Sequence, residues 1–227
     1  MMKKKIGIVV LICIGFAFNT LTHVQLPEGF VHVKDVIPDL DVELWYFSAH
    51  NFVGDTIDGY KANTLILTEP TAEALKQVQE ELQNQNLCLK VYDGYRPQRA
   101  VNHFIRWAKD LNDTLNKQEF YPTVEKRHLF RDGYIAALSG HSRGSTLDLT
   151  IIDGMTGEPL DMGSPYDFFG EPSWVEYEAI TETQKQNRQL LQRMMLKHGF
   201  RNYAQEWWHF TLNGEPFPDT YFDFEVE

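Results

Sequence analysis

Residues 139–151 read SGHSRGSTLDLTI, and the fold turns on how this stretch is read. His141 and Asp148 stand about two helical turns apart if one helix carries both. Gly140 and Gly144 argue against that, because glycine weakens a helix interior. Leu147, Leu149 and Ile151 alternate with Asp148 and Thr150, the pattern of a strand. The stretch is therefore a loop turning into a strand, which can bring both polar side chains to one point. That point suits a metal, a catalytic pair or a polar turn without chemistry, and the rest of the chain has to distinguish them.

Outward from this strand the chain alternates helices and strands. Ala72, Leu75, Val78 and Leu82 recur at helical spacing behind Thr68, an N-cap candidate, and Pro70. Leu87, Leu89 and Val91 alternate as a strand that stops at Asp93-Gly94. A second helix follows Pro97, with Val101, Phe104, Ile105 and Ala108 on one face, and a third is expected over Thr123–Phe130. A Gly- and Pro-rich loop follows Ile152. A helix from about Thr183 ends at Gly199, and the closing YAQEWWHFTLNGEPF reads as a strand and an Asn-Gly turn. Without strict βαβ order, this predicts an α+β fold: an antiparallel β-sheet with packed helices.

The 227 residues suit one domain with a real core. A formal net charge of −11 repels nucleic acid and anionic lipid, so neither is an expected partner, and no protein partner is expected. Lys3, Lys4 and Lys5 followed by the apolar run Ile6–Phe18 form a signal-peptide pattern over residues 1–19, predicting an exported, periplasmic protein; an uncleaved membrane anchor is the alternative. Cleavage leaves Cys88 as the one cysteine, so there is no internal disulfide or cysteine-based zinc site. Any metal then rests on histidine and carboxylate.

EWWHF, residues 206–210, supplies a second signal. Glu206 and His209 face opposite sides of a regular strand, but a bulge lets them converge. His209 can complete a His/Asp/His set with His141 and Asp148, leaving an open position as in catalytic zinc. Glu206 then suits a general base, and the tryptophans dry the site. The plainer reading is an aromatic strand with an incidental charge. In DGYRP, residues 93–97, Arg96 ends a strand beside Pro97, placed either to meet a developing oxyanion with Asp93 orienting it or to form a surface salt bridge. His23, His32, His50, His103, His128 and His198 have no motif partners and read as surface or packing residues.

DGYRPQRAVN, SGHSRGSTLDLT, DMGSPYDF, EWWHF and the closing YFDFEVE together resemble the D-alanyl-D-alanine dipeptidases of the VanX type, zinc peptidases related to D,D-carboxypeptidases and the hedgehog signalling domain. The resemblance runs from about residue 30 to the C-terminus, in matching order and spacing. It implies one Zn²⁺ held by His141, Asp148 and His209, Glu206 as general base, Arg96 at the tetrahedral intermediate and Asp93 behind Arg96. It places Tyr46 and Asp167 around the substrate amino group and Ser139 near the substrate carboxylate; a buried ammonium needs oxygen partners, and the free oxygen of Asp148 is a further candidate for that role. Gly140 departs from the pattern, because a second serine is usual there. The expected organisation is a signal peptide over 1–19 and one zinc dipeptidase domain over 20–227, acting on a small dipeptide, D-Ala-D-Ala. A D,D-carboxypeptidase acting on longer wall peptides and a non-catalytic zinc-stabilised binding module are the competing readings.

Overall fold

The computed structural model describes residues 25–227; the expected signal peptide lies outside them. No helix among the described residues is long and apolar enough to cross a membrane. In chain order the elements are β1 (Phe30–His32), α1 (Val33–Val36), β2 (Asp41–Val42), β3 (Ile66–Thr68), α2 (Glu69–Gln83), β4 (Leu87–Asp93), α3 (Gln98–Lys109), α4 (Lys117–Phe120), β5 (Thr146–Asp153), α5 (Glu182–Lys197), β6 (Phe200–Tyr203) and β7 (Glu206–Leu212). Five strands form one sheet in the order β2-β4-β5-β7-β6, and β1 pairs with β3 in a separate antiparallel ribbon. The α+β expectation holds, with one refinement: β2 joins β4 in parallel, while the other pairs of the large sheet are antiparallel.

The alternation in β5 does what its period implies. Leu149 lies opposite Val91 and Ile151 opposite Leu89, so these four share one face, and all are fully buried. They belong to the same core as Leu75, Val78 and Leu82 of α2 and Leu191 and Met195 of α5. Asp148 and Thr150 point to the opposite face, where the site is built. Thr68 occupies the N-cap position of α2, but its hydroxyl bonds Thr71 and Ser145 (each 2.7 Å) instead of capping the backbone. This ties the start of α2 to the entry of β5. Helix α5 starts one residue before Thr183, behind a reciprocal capping box of Thr181 and Gln184.

The helix expected over Thr123–Phe130 does not form. Only a 3-10 turn at Lys126–His128 appears there, and the single turn α4 comes earlier. Val124, Leu129 and Phe130 do not recur at helical spacing, so the segment has no apolar stripe to bury. It is fixed by tertiary contacts instead: Leu129 is fully buried, and the Lys126 ammonium lies 3.9 Å from the Trp107 ring centroid.

Candidate active site

His141 sits in a 3-10 turn, Gly140–Arg143, between the Ser139 cap and the left-handed Gly144. Asp148 follows on β5. In the β5–β7 register Asp148 lies directly opposite His209, so their side chains leave the same face of the sheet. His209 Nδ1 is 3.0 Å from Asp148 Oδ1, and His141 Nε2 is 3.4 Å from the same oxygen and 3.3 Å from His209 Nδ1. His141 donates its other ring nitrogen, Nδ1, to the Gly94 carbonyl at 2.8 Å, which turns the Nε2 lone pair inward. Gly94 has no room for a side chain, since a Cβ there would meet Leu65 at 2.3 Å.

This set fits a metal ion. Asp148 Oδ1 is buried with no hydrogen-bond partner among the described residues, although a nitrogen of each histidine lies within 3.4 Å. A buried carboxylate oxygen left in that condition costs free energy unless a cation takes it. Among the described residues, this is the one cluster of three potential ligands with all ligating atoms within 4.8 Å of one another. Electrostatics agree. Burial alone would raise the Asp148 pKa, but the two histidines hold it well below the carboxylate range. Burial would likewise lower His209, yet the adjoining Asp148 and Glu206 carboxylates push it up to about 9.

Glu206 reaches the same point. The β6–β7 register shifts between Asn202 and Tyr203, so Asn202 faces Phe210 while Tyr203 faces Glu206. The resulting bulge brings Glu206 Oε2 to 3.2 Å from His209 Nδ1, the convergence that a regular strand forbids. A second bulge serves Asp93: Val91 pairs with Leu149, but Asp93, not Tyr92, pairs with Asp148. Asp93 accepts from Arg96 Nε (2.8 Å) and Tyr60 OH (2.6 Å) and is fully buried. Burial raises its pKa, against the pull of the Arg96 and His141 charges. The Arg96 guanidinium lies over the Tyr46 and Phe104 rings, 5.0 and 5.4 Å from their centroids, which makes it a fixed donor and not a surface salt bridge. Arg96→Ala takes the cation from buried Asp93 and leaves its Oδ2 without its 2.8 Å donor, so a stability loss of about 3–5 kcal/mol is expected beside the loss of turnover. Denaturant unfolding beside steady-state kinetics checks both.

His141, Asp148, His209, Glu206 and Arg96 line one cavity of ≈ 320 Å³, together with Tyr46, Asp167 and Ser139. Tyr46 OH donates to Asp167 Oδ2 at 2.8 Å. Asp167 holds a left-handed backbone (φ 62°), a conformation that non-glycine residues adopt at a cost and often at functional sites. Burial pushes its pKa well above the usual range, outweighing the Tyr46 hydrogen bond and the Arg96 charge. Ser139 accepts from the His141 N–H at 3.3 Å, so it also shapes the ligand turn.

Comparison with known proteins places the chain. A family model described as D-ala-D-ala dipeptidase, peptidase M15, matches residues 27–227. The D-alanyl-D-alanine dipeptidase of Enterococcus faecalis is 40% identical over 201 residues, covering 88% of this chain and 100% of the relative. That of Streptomyces coelicolor is 40% identical over 197 residues (87% and 98%), and that of Escherichia coli 31% over 182 residues (80% and 83%). The chain belongs to the D-Ala-D-Ala dipeptidase family. It is a peptidase of a metal-dependent group, and the His141, Asp148 and His209 cluster is its candidate metal centre.

Against this family pattern, Gly140 has a local explanation. A Cβ at 140 would lie 2.8 Å from Thr146 Oγ1, which itself bonds Thr211 across the sheet at 2.9 Å. Of the other histidines, His23 lies outside the described residues, while His50, His103 and His198 contact Glu119, Asp58 and Glu81. Three contributors escaped the sequence reading. Tyr60 holds Asp93, and Tyr166 OH bonds Asp148 Oδ2 at 3.2 Å. That oxygen, expected to assist at the substrate ammonium, is therefore already engaged. Buried Arg188 donates to the carbonyls of Met162, Trp174 and Pro172 and so staples the loop that carries Asp167.

Proposed function

We propose that the protein hydrolyses free D-Ala-D-Ala to two D-alanines at a single zinc ion held by His141, Asp148 and His209. The observation that carries the dipeptide reading is the Tyr46–Asp167 pair, a buried carboxylate with no ion pair among the described residues, in the same cavity as the metal cluster. A desolvated carboxylate of this kind is completed by the substrate ammonium. When bound, zinc supplies Lewis acidity that polarises the scissile carbonyl and makes water acidic at neutral pH, and it does so without redox chemistry. Glu206 takes a proton from the attacking water and returns it to the amine as the C–N bond breaks. Arg96, fixed by Asp93 and the two rings, faces the developing oxyanion. Ser139 and neighbouring backbone N–H groups receive the substrate carboxylate.

A longer peptide replaces the ammonium with an uncharged amide and leaves Asp167 without its partner. N-acetyl-D-Ala-D-Ala and a tripeptide ending in D-Ala-D-Ala should therefore be cleaved at least about 10²-fold less efficiently than the free dipeptide. Equal kcat/KM on the blocked substrates would replace the dipeptidase reading with the carboxypeptidase one. Asp167→Asn should keep the metal, raise KM for the free dipeptide and stabilise the substrate-free fold. The sign follows from linkage. Its folded pKa exceeds the unfolded value, so stability falls as pH rises from the ordinary carboxylate range through the folded pKa. Asparagine removes that fall, and pH-dependent melting measures it.

The N-terminal pattern supports export, with residues 1–19 removed and the domain from residue 20 acting in the periplasm on dipeptides from wall turnover. Intact-mass measurement of the extracytoplasmic form should find the leader gone. A full-length chain in the membrane fraction would favour the anchor.

A further inference from the structure

We infer that Tyr166 is a positioning residue for the metal centre: its hydroxyl holds the outer oxygen of Asp148, so that the carboxylate meets the metal through Oδ1 alone and Arg96 stays free for substrate. This rests on the metal reading of His141, Asp148 and His209. The two Asp148 oxygens have different surroundings. Oδ1 faces both histidines and has no hydrogen-bond partner, while Oδ2 accepts from Tyr166 OH at 3.2 Å. The other donor near Oδ2 is Arg96 NH2 at 3.5 Å, at the limit of a hydrogen bond, whereas Arg96 Nε is firmly on Asp93 at 2.8 Å.

The phenol is well placed to fix this asymmetry. Tyr166 is 2% exposed, and its ring is stacked on Tyr92 (centroids 4.7 Å apart) and meets Trp208 and Trp45 edge-on at 5.5 and 5.1 Å. The hydroxyl therefore has little freedom to leave Asp148. A buried carboxylate with an unsatisfied outer oxygen would recruit the nearest donor or turn both oxygens to the metal. Here the nearest alternative donor is Arg96, the group needed at the oxyanion. Tyr166 removes that competition with an uncharged donor. It also precedes Asp167, so one dipeptide unit sets both the metal ligand and the ammonium partner.

The test is Tyr166→Phe, which keeps the ring contacts and deletes the hydroxyl. Zinc affinity is read by competition with a chromophoric chelator, and the cobalt-substituted proteins are compared by visible absorption. Loss of an outer hydrogen bond to a metal ligand should weaken zinc binding about 10-fold or more. With metal saturating, kcat should fall while KM for the dipeptide changes little. The cobalt spectrum should lose intensity as Asp148 becomes bidentate and the coordination number rises. Tyr121→Phe removes another buried hydroxyl, one without a partner, and should leave zinc affinity unchanged. Zinc affinity and cobalt spectrum both equal to the parent's, in Tyr166→Phe protein with an unaltered melting temperature, would overturn the inference. If the parent itself binds no zinc, the metal reading fails, and that result is separate.

Discussion

Glu206→Ala will keep the metal and lose about 10²–10⁴-fold in turnover. The carboxylate lies beside His209 without belonging to the three-ligand cluster, at 3.2 Å from Nδ1. Removing it leaves His141, Asp148 and His209 to hold the ion. Its side chain is 30% exposed and borders the cavity, where water and a leaving amine can reach it. Elemental analysis should find the parental metal content while the rate collapses. Near-normal turnover with metal bound would place the base elsewhere. Glu206→Gln should behave alike, because glutamine keeps the shape and cannot take the proton.

His209→Ala will release metal and activity together. Two ligands remain, and Asp148 Oδ1 loses the nearer of its two histidine neighbours. The fold should survive, because β5 and β7 stay paired through Leu147–Phe210 and Thr146–Thr211. Metal content near zero with a melting temperature close to that of the metal-free parent is the expected outcome. Full metal retention would show that the cluster is not the metal centre.

What the sequence made legible was whatever depends on local period. The β5 alternation, the apolar stripe of α2 and the stop at Asp93-Gly94 each rest on neighbours within a few residues, and each is where the pattern places it. The candidate metal cluster was legible because His141, Asp148 and His209 stand in distinctive local contexts, and the fold brings the three together. What the pattern could not show is register. Glu206 reaches His209 only through a bulge between β6 and β7, and Asp93 reaches Asp148 through a bulge in β4. Tyr60 and Tyr166 carry no local signal at all. They meet their carboxylates across 33 and 18 residues of sequence, at distances that only the packed fold sets. The segment over 123–130 failed for the opposite reason: helix-compatible residues without a stripe to bury took the shape their tertiary contacts imposed.

The central claim joins a metal held by His141, Asp148 and His209 to cleavage of a free dipeptide. The direct measurement is D-alanine release from D-Ala-D-Ala by the purified protein as isolated, after exhaustive chelation, and after return of one equivalent of zinc. The account predicts hydrolysis, its loss with the metal, and its recovery at a stoichiometry of one zinc per chain. Undiminished hydrolysis by metal-free protein would contradict it, as would zinc-replete protein that leaves the dipeptide intact.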